Sequence, residues 1–338
     1  MYISVMNQTS DNRTHYQKVL DLMRVGGSSI VDDVVNEVDG DSYEAFYKHP
    51  KVNAYIDEVI TIDPATAMSS VNMYYHIFLM KRHGEKVFVL EKDVALMLAN
   101  TDIKGVTGDM LKTPYREQLI VLPQDLDLIE LHDPATGVHK LDSVYVSYDD
   151  KGEMRLLAVG RPNGSAPADQ DDTFAYFRFN FDNRDLKLQV KEHVEHNRNS
   201  AEVDLLGGKR NLGVCQRLFD FLMNVLLYIT SPEADTYFET WNDVDPSMKK
   251  LKSKAKKKAV QRLRRTNHFL KIRVGLNTRL SRESREAYIS GKTAAKRTLV
   301  MGHWQNYWIG QGRIEKVLKW KQPFWKGVGE LSNIPHKL

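Results

Sequence analysis

Near its C-terminal end the chain reads Gly302-His303-Trp304-Gln305-Asn306-Tyr307-Trp308-Ile309-Gly310-Gln311-Gly312-Arg313 and then Val317-Leu318-Lys319-Trp320-Lys321-Gln322-Pro323-Phe324-Trp325-Lys326-Gly327. Four of the five Trp residues of the chain lie in these two runs. Because Trp carries a large apolar ring, this density indicates either a dense local core or a contact surface. The Gly-Gln-Gly step after the first aromatic run predicts a turn with a strand on each side. The sequence therefore predicts a compact β-hairpin with an aromatic face and a basic face.

The charge of the chain is divided between two regions. Residues 249–326 contain 23 Lys and Arg and three acidic residues, a net charge of +20. Residues 1–248 contain 24 Lys and Arg and 40 acidic residues, a net charge of −16. Such an asymmetry indicates two surfaces with different partners, or one region that folds against the other. The basic region is the candidate for contact with a nucleic acid or a ribosome, because clustered cations neutralise phosphates.

The densest basic run spans 249–265 and holds ten cations in 17 residues without an acid. It is either a solvated charge run or, together with the aromatic hairpin, a surface for RNA or the ribosome. Aromatic side chains interleaved with cations are typical of proteins that bind single-stranded nucleic acids. The same aromatics with Pro323 also suit a groove for an extended peptide. The predicted binding residues are Lys256, Lys257, Lys258, Arg262, Arg264, Arg265, Arg297, His303, Trp304, Tyr307, Trp308, Arg313, Lys319 and Trp320.

The spacing of apolar residues predicts an α+β fold. The N-terminal part of the chain shows mostly helical spacing, and a buried helix is predicted over 210–229. Alternation in the middle third predicts an antiparallel sheet, in which a turn at Asp149-Asp150-Lys151-Gly152-Glu153 joins two strands. The predicted strands of that sheet are 118–122, 143–148, 154–159 and 174–179.

Changes in composition along the chain predict three segments. The first is an acidic α+β body over 1–245. A basic helix or linker follows over 246–296, in which 268–274 alternate as a strand. The third is a basic aromatic β module over 297–338, which contains the hairpin.

Several classes of protein are disfavoured by the sequence. No run of 18 apolar residues is present, so we expect no transmembrane helix and no membrane partner. The N-terminus lacks a basic region followed by a long apolar run, which argues against a signal peptide. A single cysteine, Cys215, rules out an internal disulfide and fits the reducing cytoplasm.

The chain shows no motif of a phosphate-binding loop, a zinc protease or a serine hydrolase. His193 and His196 have a spacing that could hold a metal, but without a third ligand a solvated helix face is the better interpretation. Asp169, Asp171 and Asp172 form an acidic cluster for which a solvated loop is again the better interpretation. We therefore predict no metal and no cofactor.

One catalytic alternative rests on His303. If the hairpin brings Arg313 and Lys319 close to this imidazole, His303 would act as an acid or base in RNA cleavage. The competing interpretation is a histidine that packs beside Trp304. A binding protein is favoured over a ribonuclease, and we predict that Trp304, Tyr307, Trp308 and Trp320 are partly buried as the hairpin's own core, with Arg313 and Lys319 facing outward.

The C-terminal motif resembles the second group of type V-A anti-CRISPR proteins, which occur on phages and plasmids, together with their relatives. The motif runs Gly302-His303-Trp304, Tyr307-Trp308, Gly310-Gln311-Gly312 and Lys319-Trp320-Lys321-Gln322-Pro323. Met301 stands directly before the glycine, where the family usually carries a cation. The order of a helical start, a β middle and a basic C-terminal module also agrees with the family.

The resemblance implies an unusual activity. Members of the family are thought to recognise the nascent N-terminal peptide of the type V-A effector during translation and to cause loss of its messenger RNA. Relatives occur where that effector is absent, so another target peptide would be recognised there. The implied partners are therefore the N-terminus of a nascent polypeptide and messenger RNA or the ribosome. A phage protein that binds any duplex DNA is a third alternative.

Overall fold

The structure is a computed structural model in which residues 14–25, 30–60, 64–123, 126–133, 137–149, 152–161, 174–198, 208–239, 269–290 and 297–327 are described. Nine α-helices and twelve strands are formed by these residues. None of the helices in these ranges combines the length and apolar character that crossing a membrane requires.

Among the described residues, five helices precede the first strand, as the helical spacing in the N-terminal part predicts. α5 is buried on almost every side from Val71 to Met80 because it lies between the sheet and other helices. α8 is the buried helix predicted over 210–229. The helices are α1 (His15–Val25), α2 (Ile30–Glu37), α3 (Tyr43–Tyr47), α4 (Pro50–Ile60), α5 (Pro64–His83), α6 (Lys92–Ala99), α7 (Leu186–Arg198), α8 (Gly208–Ile229) and α9 (Arg282–Ser290).

The strands form one large sheet and a C-terminal hairpin module. The four strands predicted from alternation in the middle third correspond to β2, β4, β5 and β6. The strands are β1 (Glu85–Leu90), β2 (Glu117–Val121), β3 (Glu130–Asp133), β4 (Gly137–Tyr148), β5 (Glu153–Gly160), β6 (Phe174–Asn180), β7 (Thr236–Phe238), β8 (Phe269–Val274), β9 (Arg297–Val300), β10 (His303–Ile309), β11 (Glu315–Lys321) and β12 (Phe324–Gly327).

The large sheet has the strand order β6-β5-β4-β2-β1-β8-β7, and β3 pairs with β4 outside this path. Its middle strands are antiparallel as predicted, with Leu119 opposite Tyr145 and Tyr145 opposite Leu157. β1 is parallel to both β2 and β8, so the complete sheet is mixed. The crossover through α6 returns the chain to β2 in the same direction, which a hairpin cannot do. The α+β class is confirmed.

Helices cover both faces of the sheet. Alternation sends Val87 and Leu119 into a core shared with α1 to α5, which we call the N-terminal core. Phe88 and Ile120 point the other way, into a core shared with α6, α7 and α8. We call the second core the hairpin-side core, because the buried tryptophans of the C-terminal hairpin also belong to it.

The C-terminal half of the chain completes the sheet. β8 lies inside the segment 246–296 that was expected to be a basic helix or linker, yet it is an interior strand between β1 and β7. α9 then packs beside α6, where Arg285 makes two hydrogen bonds to the carboxylate of Asp93 at 2.8 and 2.9 Å. The strand predicted over 268–274 is therefore β8, and this part of the segment packs with the body.

Candidate functional site

The hairpin predicted from the aromatic motif is formed by β10 and β11. Its register runs from His303 opposite Lys321 to Ile309 opposite Glu315. Because side chains alternate along a strand, Trp304, Trp308 and their partners share one face of the hairpin, while His303 and Tyr307 share the other. Two further strands, β9 and β12, pair with each other in a separate two-stranded sheet just before and just after the hairpin in the chain, so the module has four strands.

At the base of the hairpin, Trp304 and Trp320 stand directly opposite each other, and each is only 6% exposed. The indole N–H of Trp304 donates to Asn224 Oδ1 of α8 at 2.7 Å. The indole N–H of Trp320 donates to Thr101 Oγ1 at 3.4 Å. The ring of Trp320 also lies edge-on to Tyr228 of α8, with 4.9 Å between the ring centroids. The pair therefore attaches the hairpin to the body.

Two polar residues of the body connect these bonds. Asn224 Nδ2 donates to the carbonyl of Thr101 at 2.8 Å, and the Thr101 hydroxyl donates to the carbonyl of Met97 at 2.8 Å. Each buried donor of this set thus has an acceptor, which is the condition under which buried polar groups stabilise a fold. The hairpin is held in a defined orientation on α6 and α8.

Gly302 allows the close approach of the hairpin to the body. A Cβ atom at this position would lie 2.7 Å from Thr101 Oγ1 and 3.1 Å from Trp320 Nε1. Both distances are shorter than ordinary contacts, so a larger residue would push the hairpin away. The glycine of the Gly-His-Trp motif is therefore needed for the hairpin to pack closely against the body.

The tip of the hairpin, residues 308–316, has a different environment from the base. Trp308 is 58% exposed, although partial burial was predicted for it, because the hairpin projects beyond the body at this point. Ile309 and Ile314 are exposed as well, Ile314 to 81%. Tyr307 is half-buried. The hairpin was predicted to form a core of its own, and this is wrong at the base as well. There, Trp304 and Trp320 are buried against the body, in the hairpin-side core.

The turn at the tip has an unusual backbone. Gly310 and Gly312 have φ angles of 79° and 77°, which glycine adopts without strain. Arg313 has a φ of 54°, and it is the one non-glycine residue with positive φ in the described part of the chain. Its N–H donates to the carbonyl of Gly310 at 3.0 Å, which closes the turn. The Arg313 side chain is exposed, as predicted.

The cations of the hairpin differ in whether they have partners. Lys319 Nζ lies 3.6 Å from Glu233 Oε1, and this lysine is half-buried rather than fully outward. Lys321 Nζ lies 4.9 Å from the centroid of the Tyr307 ring. Within the described ranges, the charged groups of Arg313 and Lys316 have no ion pair, hydrogen bond or ring contact. Both of these cations lie in the tip, and Lys316 stands opposite Trp308 in the register.

His303 does not stand near Arg313, which corrects the arrangement expected for a ribonuclease. His303 lies at the base, opposite Lys321, whereas Arg313 lies in the turn beyond Ile309. Six residue steps along β10 separate His303 from Ile309, which is roughly 20 Å. The imidazole Nδ1 is instead 3.3 Å from the carbonyl oxygen of Met301. The two residues therefore cannot act together on one substrate atom.

Part of the predicted site lies outside the described residues. This holds for the basic run 249–265 and so for Lys256, Lys257, Lys258, Arg262, Arg264 and Arg265. It also holds for Asp169, Asp171 and Asp172 and for the side chains of Arg297 and Cys215. Binding by these residues stays a prediction.

The described residues contain no group of His, Cys, Asp and Glu side chains that could hold a metal ion. His193 packs against the ring of Phe179, with 3.9 Å between ring centroids. Burial, with smaller contributions from His196 and Arg178, lowers the pKa of His193 to about 4. His193 is therefore a packing residue at neutral pH.

A buried polar group in the N-terminal core was not foreseen. His76 of α5 and Glu117 of β2 are both fully buried, and His76 Nδ1 lies 3.0 Å from Glu117 Oε1. Burial lowers the pKa of His76 to about 3 and raises the pKa of Glu117 well above its usual range. A neutral pair, in which the Glu117 carboxyl donates to Nδ1, is therefore favoured. The available signal in the sequence was His76 itself, a polar residue directly before the apolar run of α5.

Comparison with known proteins gives the decisive observation. Residues 88–327 match the family described as "AcrVA2-like: Anti-CRISPR type V subtype A2 family". The chain belongs to this family of anti-CRISPR proteins. The match to the family begins within β1 and ends with β12, so it includes most of the sheet, α6 to α9 and the whole hairpin module.

A solved structure, described as "Crystal structure of AcrVA2", is also similar to the chain. The sequence identity is 13% and the TM-score is 0.49, and the alignment covers 93% of this chain and 98% of that chain. A search of curated protein sequences gives no match. Membership of the anti-CRISPR family therefore rests on the match over residues 88–327.

Proposed function

We propose that this anti-CRISPR family member lowers the amount of a host protein by recognising its nascent N-terminal peptide and causing translation-dependent loss of its messenger RNA. The target is a type V-A CRISPR effector or another protein with a related N-terminus. The observation that carries the proposal is the family match over residues 88–327, which includes the complete hairpin motif. A phage or plasmid origin and action in the cytoplasm, where translation takes place, belong to the same proposal.

The distribution of charge supports two contact surfaces. The net charge of −16 over residues 1–248 suits a peptide with cationic side chains. The net charge of +20 over residues 249–326 suits the phosphates of messenger or ribosomal RNA. A translating ribosome presents both partners together, because the nascent peptide and its message are held in one particle.

A ribonuclease is not favoured by the described residues. The catalytic alternative required His303 and Arg313 to act on one phosphate, and the hairpin holds them at opposite ends. The carbonyl oxygen of Met301 lies within hydrogen-bonding distance of His303 Nδ1. In the proposed function a host nuclease cuts the message.

The experiment uses three versions of a reporter gene that begins with the first codons of the effector gene. One version keeps the natural codons, one encodes the same peptide with synonymous codons, and one carries compensating frameshifts that change the peptide but hardly change the nucleotides. Each reporter is expressed with and without the full-length protein, and the messenger RNA is quantified.

Recognition of a peptide predicts loss of the natural and the synonymous messages, while the frameshifted message persists. Mutation of the start codon should protect every version, because no peptide is then made. Equal loss of the frameshifted message would contradict peptide recognition. A message that is cut by the purified protein without ribosomes would favour a ribonuclease instead.

A further inference from the structure

The tryptophans of the hairpin are divided between two roles by their environment. Trp304 and Trp320 are buried at the base, and their N–H groups are bonded to the body. Trp308 lies on the same face of the hairpin, four residues beyond Trp304, but it is 58% exposed. No hydrogen bond or ring contact is made by Trp308 within the described part of the chain. An exposed Trp without a partner is an available stacking surface.

The tip also carries two cations for which the described residues supply no partner. Lys316 stands directly opposite Trp308 in the hairpin register, and Arg313 lies in the turn that the two strands share. Other hairpin cations are engaged, since Lys319 faces Glu233 and Lys321 lies over Tyr307. As far as the described ranges show, the tip therefore presents one open aromatic ring together with two positive charges that have no partner.

The backbone at Arg313 is a second, independent observation. A left-handed φ of 54° is unfavourable for a residue with a side chain, and glycine or asparagine would adopt it with less strain. Gly310 and Gly312 show that the turn uses glycine at its other positive-φ positions. Unusual backbone at an exposed position is often found where a side chain serves function. The strained turn carries an exposed arginine directly after the strand that holds Trp308.

The charge of the module distinguishes between a nucleic acid and a protein as the occupant. Residues 297–327 contain six Lys and Arg and one acidic residue, Glu315. Phosphates complement this surface, and unpaired bases complement the exposed ring of Trp308 and the apolar side chains of Ile309 and Ile314. A duplex hides the faces of its bases, so the occupant that fits both features is a single strand.

We infer that the tip of the hairpin binds single-stranded RNA, with a base stacked on Trp308 and phosphates held by Arg313 and Lys316. This inference deepens the proposed function, because it identifies which surface contacts the message or an exposed strand of ribosomal RNA. The base of the hairpin, with Trp304 and Trp320, positions the tip and does not itself contact RNA.

The test measures binding of the purified full-length protein to a fluorescein-labelled oligouridylate by fluorescence anisotropy over a series of salt concentrations. Trp308→Ala should weaken binding roughly 5- to 150-fold, the usual effect of losing one base–aromatic stack. Arg313→Asn removes the guanidinium. Because asparagine tolerates a positive φ, the hairpin of this variant should fold normally. This variant should also lower the salt dependence by about 0.7 in the slope of log affinity against log salt, as expected for one lost phosphate contact on a single strand.

Matched controls separate the tip from general charge and hydrophobicity. Arg282→Asn removes the same charge from α9, where Arg282 is exposed and bonded to Glu286 at 2.9 Å. Phe324→Ala removes an aromatic ring that is 50% exposed on β12. Both controls keep the basic run 249–265, so any background binding by that run is the same in them as in the wild type. Neither should weaken binding by more than about twofold, the change expected when no stack or phosphate contact is lost.

Wild-type affinity in Trp308→Ala would overturn the inference. Equal binding of a matched duplex with the same dependence on Trp308 would overturn it as well. So would unchanged RNA affinity together with loss of binding to ribosome–nascent chain complexes, because the tip would then be a protein-binding surface. Since this assay contains no ribosome, its outcome is independent of the reporter experiment. RNA binding that needs Trp308 while the in-frame reporter survives would refute the proposed function and leave the inference standing.

Discussion

Trp304 and Asn224, 80 positions apart in the chain, are joined by a hydrogen bond of 2.7 Å from the indole N–H to the side-chain carbonyl. Asn224 donates at the same time to the carbonyls of Thr101 and Asp220. One buried side chain therefore links the hairpin, helix α8 and the loop after α6. Through this link the orientation of the exposed tip depends on the packing of the body.

Replacing Asn224 with Ala should lower the free energy of unfolding by about 2 to 4 kcal/mol, because the Trp304 donor and the Thr101 acceptor are both left buried without a partner. Urea unfolding followed by circular dichroism measures this change. Asn36→Ala is the matched control, since Asn36 is exposed and makes one hydrogen bond to the carbonyl of Asp32. Its effect should stay within about 0.5 kcal/mol. Equal effects of the two substitutions would contradict the role given to Asn224.

The two hairpin tryptophans should respond differently to truncation. Trp304→Ala leaves a cavity in the hairpin-side core and should cost about 3 to 5 kcal/mol of stability. Trp308→Ala removes an exposed ring and should change stability by less than about 0.5 kcal/mol. Denaturant unfolding of both variants tests the division between base and tip. A large loss of stability in Trp308→Ala would show that the tip packs against the body.

Two glycine substitutions in the hairpin turn should change the stability in opposite directions. Arg313→Gly relieves the left-handed backbone and should raise the stability by a few tenths of a kcal/mol up to about 1, after allowing for the greater entropy of glycine in the unfolded chain. Gln311 has no positive φ to relieve, so Gln311→Gly should lower the stability by about 0.5 to 1 kcal/mol. The midpoints of thermal unfolding should therefore move in opposite directions. Parallel shifts would mean that Arg313 is not strained.

The stability of the N-terminal core should depend on pH through Glu85. Burial raises the pKa of Glu85 to about 7, and the hydrogen bond from Thr14 and the charges of Lys271 and Lys86 oppose this only in part. The unfolded chain has the ordinary glutamate pKa near 4.3, so the folded state binds more protons between these values. This contribution to stability is therefore fully present below about pH 4 and is lost as the pH rises through about 7, with a total on the order of 3 kcal/mol.

Glu85→Gln, which stays neutral, isolates that contribution. The stability of the variant minus that of the wild type should increase as the pH is raised from about 5 to 8, as linkage requires for a lost carboxylate with a raised pKa. His76 and His193 titrate with a low pKa in both proteins, so their effect cancels in the difference. A constant difference over this range would show that Glu85 has an ordinary pKa in the folded state.

Local patterns were sufficient for many elements. The alternation at 143–148 and 154–159, with a glycine-containing turn between them, predicted the β4–β5 hairpin, because strand period and turn chemistry are properties of neighbouring residues. The Gly-Gln-Gly turn predicted the β10–β11 hairpin in the same way. The parallel pairing of β1 with β8 was not visible, because 184 positions separate Glu85 from Phe269 and no local pattern records such a partner.

The candidate site shows the same limit. Composition alone identified a hairpin rich in Trp and cations, but it treated Trp304, Trp308 and Trp320 as equivalent. Their difference depends on what lies beneath each ring, and only the packing of α8 and Thr101 against the base supplies that information. The expected proximity of His303 and Arg313 failed for a related reason, since the register of the hairpin places them at opposite ends.

Amino-acid order was enough to establish the α+β class, the division of charge and the hairpin motif that marks the anti-CRISPR family, because each of these depends on residues close together in the chain. Tertiary structure decided which tryptophans are buried, which cations are unpaired and that β8 completes the sheet. These properties depend on contacts between residues far apart in sequence, where burial and hydrogen bonding with distant partners outweigh local preference. The aromatic stretch near the C-terminus is thus one motif with two environments, a buried base and an exposed tip.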